Sequence, residues 1–298
     1  MIKHESVLLQ QSVEGLNIKP NGIYVDVTFG AGGHSKAIID KLDSSGKLIA
    51  FDQDADVSMW SESEPRLTLV RSNFRYLEAY LDYLEIETVD GILADLGVSS
   101  HHLDTLSRGF SYRSQDELDM RMNQKSRLTA AEVLNTYDEK QLLSLMSRYG
   151  EVRNAKTLVR HIARERCDRR FGQVSDFVMR IEGCVKGQRD RYLAQVFQAL
   201  RIEVNDELGA LQDLLVASEK RLSAGGRLSV ISFHSLEDRI VKRFMRSGKL
   251  SGEVEKDFFG HAQTPFKIIS RKAITADDEE VTRNPRSRSA KLRIAERI

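Results

Sequence analysis

The sequence predicts an α/β fold in which a doubly wound sheet of parallel strands is interrupted by an all-helical insertion. Three observations carry this reading. Over the first hundred residues, short continuous apolar runs alternate with helical patterns, the signature of successive βαβ units. Over the next hundred the apolar runs stop and helix follows helix. An apolar run then returns at 226–232, beyond a helix at 208–222. The resulting boundaries are 1–105 with 207–298 for the sheet domain and 106–206 for the insertion.

Residues 22–27, Gly-Ile-Tyr-Val-Asp-Val, make the first strand, a buried apolar run. Residues 34–42 follow as a helix, with Ala37, Ile38 and Leu42 near one face and Ser35 available as its cap. The turn Ser44-Ser45-Gly46 leads to a second strand at 47–52. A third run at 67–70 precedes a helix at 75–84, and a fourth strand, 91–95, ends at Asp95. The insertion reads as helices at 130–134, 139–149, 156–166, 174–181 and 194–204. After the strand at 226–232 come two further extended runs, 266–269 and 290–294, separated by a polar loop.

Composition narrows the class. With 41% hydrophobic and 30% charged residues the chain reads as a soluble globular protein. No apolar run approaches the ~20 residues that span a bilayer, and the opening MIKHE is not a secretory signal, so a cytoplasmic location is expected. Cys167 and Cys184 suggest neither a disulfide framework nor a Cys-rich zinc site. His101, His102 and Asp104 lack a third strong ligand spaced nearby, so no metal is expected. The net charge of +1 conceals an uneven distribution. Residues 1–103 hold 8 Lys/Arg against 16 Asp/Glu, 153–191 hold 11 against 5, and 282–298 hold 6 against 1. One end is suited to a small molecule and the other to a polyanion.

The stretch after the first strand, VDVTFGAGGHS, carries the first chemical signal. A phosphate-binding P-loop is excluded: Gly46-Lys47 is followed by Leu48 and lacks the upstream glycine. A dinucleotide GxGxxG would start at Gly30 and Gly32 but meets Ser35 at its third glycine position. The turn fits better the one that binds S-adenosylmethionine in Rossmann-like methyltransferases. Asp26 ends the strand, where a carboxylate suits the cationic amino group of the methionine part, and Gly30, Gly32 and Gly33 let the backbone pass close to the ligand. Asp52, at the tip of the second strand, can accept both hydrogen bonds of a ribose diol, a geometry NAD shares. Phe74 is placed to flank an adenine, and Asp95 sits beside the switch point of the sheet.

The chain also resembles a known family through eight blocks in order: HESVLL at 4–9, TFGAGGHS at 28–35, DLGVSS at 95–100, RGFS at 108–111, LDMRM at 118–122, FQALRI at 197–202, SFHSLEDR at 232–239 and RSRSAKLRIAE at 286–296. It is similar to the bacterial ribosomal RNA small subunit methyltransferase H family, also called MraW. The resemblance is thinnest at about 150–190 and 248–280, and Asp116-Glu117 stand where the family has Gly-Pro. It implies methyl transfer from S-adenosylmethionine to N4 of one cytosine in the decoding centre of small-subunit (16S) ribosomal RNA. It places cofactor contacts on Gly32, Gly33, His34, Asp52, Phe74, Asp95 and His102, and makes the helical insertion the RNA-recognition part.

Cytosine N4 is a poor nucleophile, so an acceptor for its proton is needed. The aromatic Asp/Asn-Pro-Pro loop that many exocyclic-amine methylases use is replaced here by Asp95-Leu96-Gly97-Val98. The catalytic candidates are therefore Asp95 as polariser, with Asp119 and His234 shaping the pocket. For RNA, Arg164, Arg166, Arg169 and Arg170 are the first phosphate contacts expected, and Arg286 and Arg288, with Arg283 and Lys291, the second. The partner is the small ribosomal subunit; DNA and membranes are not expected, and the oligomeric state, a homodimer included, is open. Two competing classes are an S-adenosylmethionine-binding assembly factor without turnover and an NAD-dependent oxidoreductase.

Overall fold

A computed structural model describes residues 6–53, 63–97 and 108–298. The chain divides into two compact units, Met1–Gly97 with Leu208–Ile298, and Val98–Glu207.

The first unit is built on seven strands: β1 Ile23–Asp26, β2 Lys47–Asp52, β3 Leu67–Arg71, β4 Val89–Asp95, β5 Leu222–Ser232, β8 Phe266–Ile268 and β9 Lys291–Arg297. Their order across the sheet is β3-β2-β1-β4-β5-β9-β8. The first five run parallel, and β9 is antiparallel to both β5 and β8. A small hairpin of β6 Glu255–Lys256 and β7 Ala262–Gln263 precedes β8.

Alternate residues of the central strands feed two cores on opposite faces of the sheet. Val25, Ile49 and Ile92 face one side, where α3 (Leu77–Tyr83) contributes Leu77 and Leu81 and α9 (Glu207–Arg221) contributes Leu211, Leu214 and Leu215. Tyr24, Leu48 and Leu93 face the other, against Leu16 and against Ile38 and Ile39 of α2 (Gly33–Ile39). Each fully buried side chain of this size contributes about 1.5–3 kcal/mol. Gly91 makes room for Tyr24, whose ring would lie 2.8 Å from an added Cβ. From β1 the chain steps outward to β2 and β3, then crosses back to β4 on the other side of β1. The carboxyl ends of β1 and β4 therefore form the switch point at which such sheets bind ligands.

The second unit packs α4 (Ala130–Thr136), α5 (Glu139–Arg148), α6 (Ala155–Asp168), α7 (Val174–Ile181) and α8 (Arg189–Asn205) around Leu142, Leu158, Phe177, Val196 and Leu200. Asp138 and Gln141 close a capping box at the start of α5, satisfying two amides that the first turn leaves open.

Some elements differ from the sequence reading. Ser35 is not the cap of α2; Gly32 holds that place at φ +80° and the helix starts at Gly33. The short α1 (Leu9–Gly15) and α11 (Asp278–Arg283), and α10 (Ser235–Ser247), complete the first unit. Strand β5 starts at Leu222, four residues before the expected run.

Candidate active site

The turn from β1 to α2 is held from two sides. Phe29 N donates to Phe51 O at 2.8 Å and Gly30 N to Asp52 Oδ2 at 2.8 Å, which joins the turn to the end of β2. Thr28 Oγ1 accepts from Asp95 N at 2.7 Å, which joins it to the end of β4. Gly30 and Gly32 adopt φ of +52° and +80°, a region costly for residues with a Cβ. Among the described residues, an added Cβ at Gly30 would meet nothing within 4 Å, so the turn leaves space there.

Asp26, expected to face a ligand's ammonium group, is instead wholly buried. Its Oδ1 accepts from Thr28 N at 3.1 Å and its Oδ2 from Ser35 Oγ at 2.6 Å. A carboxylate sealed and bonded in this way fixes the turn. Ser35, at the third glycine position of the GxGxxG template, is thereby explained.

Behind the turn lies His34, 3% exposed, with Nε2 at 3.1 Å from the carbonyl oxygen of Val7. A carbonyl only accepts, so Nε2 carries the proton and Nδ1 is left as an acceptor. Burial pushes the imidazole pKa down, against the opposing influence of the Asp26 charge and the Val7 carbonyl, so the ring is neutral. Its Nδ1 stands 3.8 Å from Asp95 Oδ2. Burial, then the charges of Asp26 and Glu237, push the Asp95 carboxyl well above the usual carboxylate range. Its Oδ1 is buried and accepts no hydrogen bond among the described residues. An unsatisfied buried acceptor beside an open, glycine-lined turn fits a cationic, hydrogen-bond-donating ligand.

The neighbouring strand ends complete the edge. Asn73 caps the 3-10 turn Phe74–Tyr76 and donates to Gln53 Oε1 at 3.1 Å. Phe74 is half-buried and packs against the core that holds Val25 and Ile49. Beyond β5, His234 is the N-cap of α10, with Nδ1 accepting from Glu237 N at 3.4 Å. Glu237 Oε2 accepts from Phe233 N at 2.9 Å and His234 N at 3.3 Å. Glu237, 3% exposed, was not singled out from the sequence; Glu at the third helical position after a capping residue is the pattern that signals it. His102 lies outside the described residues.

Strand order, antiparallel penultimate strand, glycine turn and the paired carboxylates at the ends of β2 and β4 define a Rossmann-like, S-adenosylmethionine-dependent methyltransferase. The family profile of the MraW methylases matches residues 1–298, and the chain belongs to that family. It is 54% identical over 297 residues to a ribosomal RNA small subunit methyltransferase H of Phocaeicola vulgatus, covering 99% of this chain and 98% of that one. It is 53% identical over 297 residues to the protein of that name from Cytophaga hutchinsonii, covering 99% of each. The family's methyl donor is S-adenosylmethionine, and its substrate class is ribosomal RNA.

In the second unit, Asp119 is held by Arg121, whose Nε donates to Oδ1 at 2.7 Å and Nη2 to Oδ2 at 2.6 Å. Burial pushes that carboxyl up, but the hydrogen bonds and charge of Arg121 outweigh it and hold it below the usual range. This is a structural ion pair. The expected RNA contacts also separate. Arg166 donates to the carbonyls of Leu134 and Tyr137 at 2.9 and 2.6 Å, closing the end of α4 instead of facing solvent. Arg169 pairs with Asp176. Arg164 is 72% exposed beside Glu165, and Arg170 is exposed. In the first unit, Arg286 and Arg288 are exposed on the 3-10 turn Pro285–Ser289. Among the described residues, no helix is long and apolar enough to cross a membrane.

Proposed function

We propose that this chain transfers a methyl group from S-adenosylmethionine to N4 of one cytosine in the decoding centre of small-subunit ribosomal RNA. The observation that carries the reading is Asp95, a carboxylate with one buried oxygen that accepts no hydrogen bond among the described residues, at the switch point and beside the glycine turn. Bound at this edge, the sulfonium donor supplies an electrophilic methyl group for in-line displacement by the base nitrogen. The chain's own residues hold and orient. Gly30 and Gly32 let the backbone approach the donor, Gly33 makes room for Ser6, and Asp52 accepts from the ribose hydroxyls while keeping the Gly30 amide. Phe74 flanks the adenine. Asp95 polarises N4 by accepting its proton as the new C–N bond forms, and its raised affinity for a proton suits that task. His234, fixed by Glu237, borders the base pocket. Positioning supplies much of the barrier reduction, on the order of several kcal/mol.

The helical unit is the RNA-recognition part in this reading, with the exposed Arg164 and Arg170 its phosphate contacts, joined by Arg286 and Arg288. The cytoplasmic small subunit is the partner. The test is incubation with labelled S-adenosylmethionine and small subunits from a strain lacking the gene, followed by nucleoside analysis. Label in N4-methylcytidine, lost with Asp95→Ala, is expected. Label in another nucleoside would overturn the N4 assignment, and full transfer by Asp95→Ala would remove the polariser.

A further inference from the structure

We propose that Glu280, on α11, is a positioning residue for the cofactor site, acting through the backbone of residues 6–8 on the ring of His34. The contacts form one unbroken series. Leu8 N donates to Glu280 Oε1 at 2.7 Å in a buried bond between residues 272 apart in sequence. Leu8 is held at φ 49°, ψ 36°, a left-handed conformation unfavourable for a leucine, so its amide points where a relaxed chain would not send it. Two features impose that conformation: the Glu280 carboxylate on the amide, and the Leu8 side chain, fully buried among Ile231, Leu292 and Ile294. The preceding carbonyl, Val7 O, is thereby aimed at His34 Nε2, 3.1 Å away. One residue earlier, Ser6 Oγ occupies the space that a Cβ on Gly33 would enter, 2.1 Å from it. The segment therefore packs directly on the first turn of α2.

The consequence is chemical. Because Val7 O fixes the proton on Nε2, Nδ1 faces Asp95 Oδ2 as an acceptor, 3.8 Å off. At that separation the two groups make no hydrogen bond to each other and stand side by side for a donor on the ligand. Without the Glu280 bond, Leu8 relaxes, Val7 O withdraws and the ring is free to rotate or change tautomer. Glu280 is itself rigid: 8% exposed, its amide donates to Asp277 Oδ1 at 2.7 Å, the cap of α11.

The inference rests on reading this edge as the cofactor site, and its test uses the full chain with two readouts. Titration calorimetry with S-adenosylmethionine gives the affinity. Nitrogen-15 NMR of the histidine rings without cofactor, with His34 assigned by His34→Gln, gives the tautomer. Glu280→Gln keeps a carbonyl acceptor at the same reach, while Glu280→Asp keeps the charge but retracts it by one methylene. We expect Glu280→Gln to bind within about two-fold of the parent with His34 still protonated on Nε2. We expect Glu280→Asp to bind about ten-fold more weakly, with the fixed tautomer lost, at an unchanged folded circular-dichroism spectrum. If both variants bind as the parent does and His34 keeps its tautomer, the proposal is overturned while the cofactor site stands. If the parent binds no S-adenosylmethionine, the site assignment falls, and the ring measurement still decides whether Glu280 sets His34.

Discussion

Ser35 Oγ donates to Asp26 Oδ2 at 2.6 Å, tying the last residue of β1 to the first turn of α2 inside the glycine turn. Removing that hydroxyl leaves a wholly buried carboxylate short of a partner. Ser35→Ala is expected to destabilise the protein by about 1–3 kcal/mol, more than a surface serine, and to weaken S-adenosylmethionine binding. Urea unfolding and calorimetry check both; an unchanged midpoint would show that Asp26 is satisfied in some other way.

Gly30 and Gly32 both carry backbone strain, and Gly30 also carries space. Both have positive φ, and a Cβ added at Gly30 would meet nothing within 4 Å among the described residues. Gly32→Ala should lower stability by about 1–2 kcal/mol, the left-handed penalty for a residue with a Cβ. Gly30→Ala should show a comparable loss and, in addition, a methyl group standing in the ligand's path. Kd for S-adenosylmethionine, measured at a temperature where Gly30→Ala is folded, checks this, and an affinity equal to the parent's would remove Gly30 from the pocket.

Asp95 ties function to pH. A carboxyl whose folded-state pKa is raised keeps a proton that the unfolded chain has already released. Stability therefore falls as pH rises from the ordinary carboxylate value, about 3.9, towards the raised one. Asp95→Asn removes that fall, so the variant should be more stable than the parent above it while binding the cofactor poorly. His34 acts on the acid side: its lowered pKa means that stability is lost as pH drops below about 6.5, where the unfolded imidazole takes up a proton first. Melting temperatures across this range read both; parallel Tm curves for parent and Asp95→Asn would exclude the raised carboxyl.

The arginines of the helical unit divide by what already holds them. Arg164→Ala with Arg170→Ala should reduce the salt slope of small-subunit binding by about 1 per residue and leave stability within about 0.5 kcal/mol. Arg166→Ala should do the reverse, because its guanidinium serves the carbonyls of Leu134 and Tyr137. A salt slope that responds only to Arg166 would overturn this division.

Where the sequence was legible, a single physical signal dominated. The apolar runs of β1, β2 and β4 are buried on both faces, so no amphipathic pattern competed with the strand reading. Gly30, Gly32, Asp52 and Asp95 were legible because spacing along parallel strands puts strand ends together. Asp26 and Arg166 are bonded within the fold in a way the sequence does not show, for a common reason. Charge is visible in sequence, whereas the buried serine or the open helix end that consumes the charge is not. The α1 helix is seven residues long and opens on a left-handed leucine, a start for which local sequence has no cue. Glu280 was invisible because its partner, Leu8, is 272 positions away.

The order of the chain has a consequence for its synthesis. The helical unit gathers its whole core from one continuous stretch, so all its parts leave the ribosome together. The sheet cannot be finished at that point, since β5, β8 and β9 and the Glu280 that anchors Leu8 are translated after the insertion. The strands made first must wait, with the β4 edge unpaired, while the intervening hundred or so residues emerge. A nascent chain therefore acquires its glycine turn early but gains a completed ligand edge only near the end of translation.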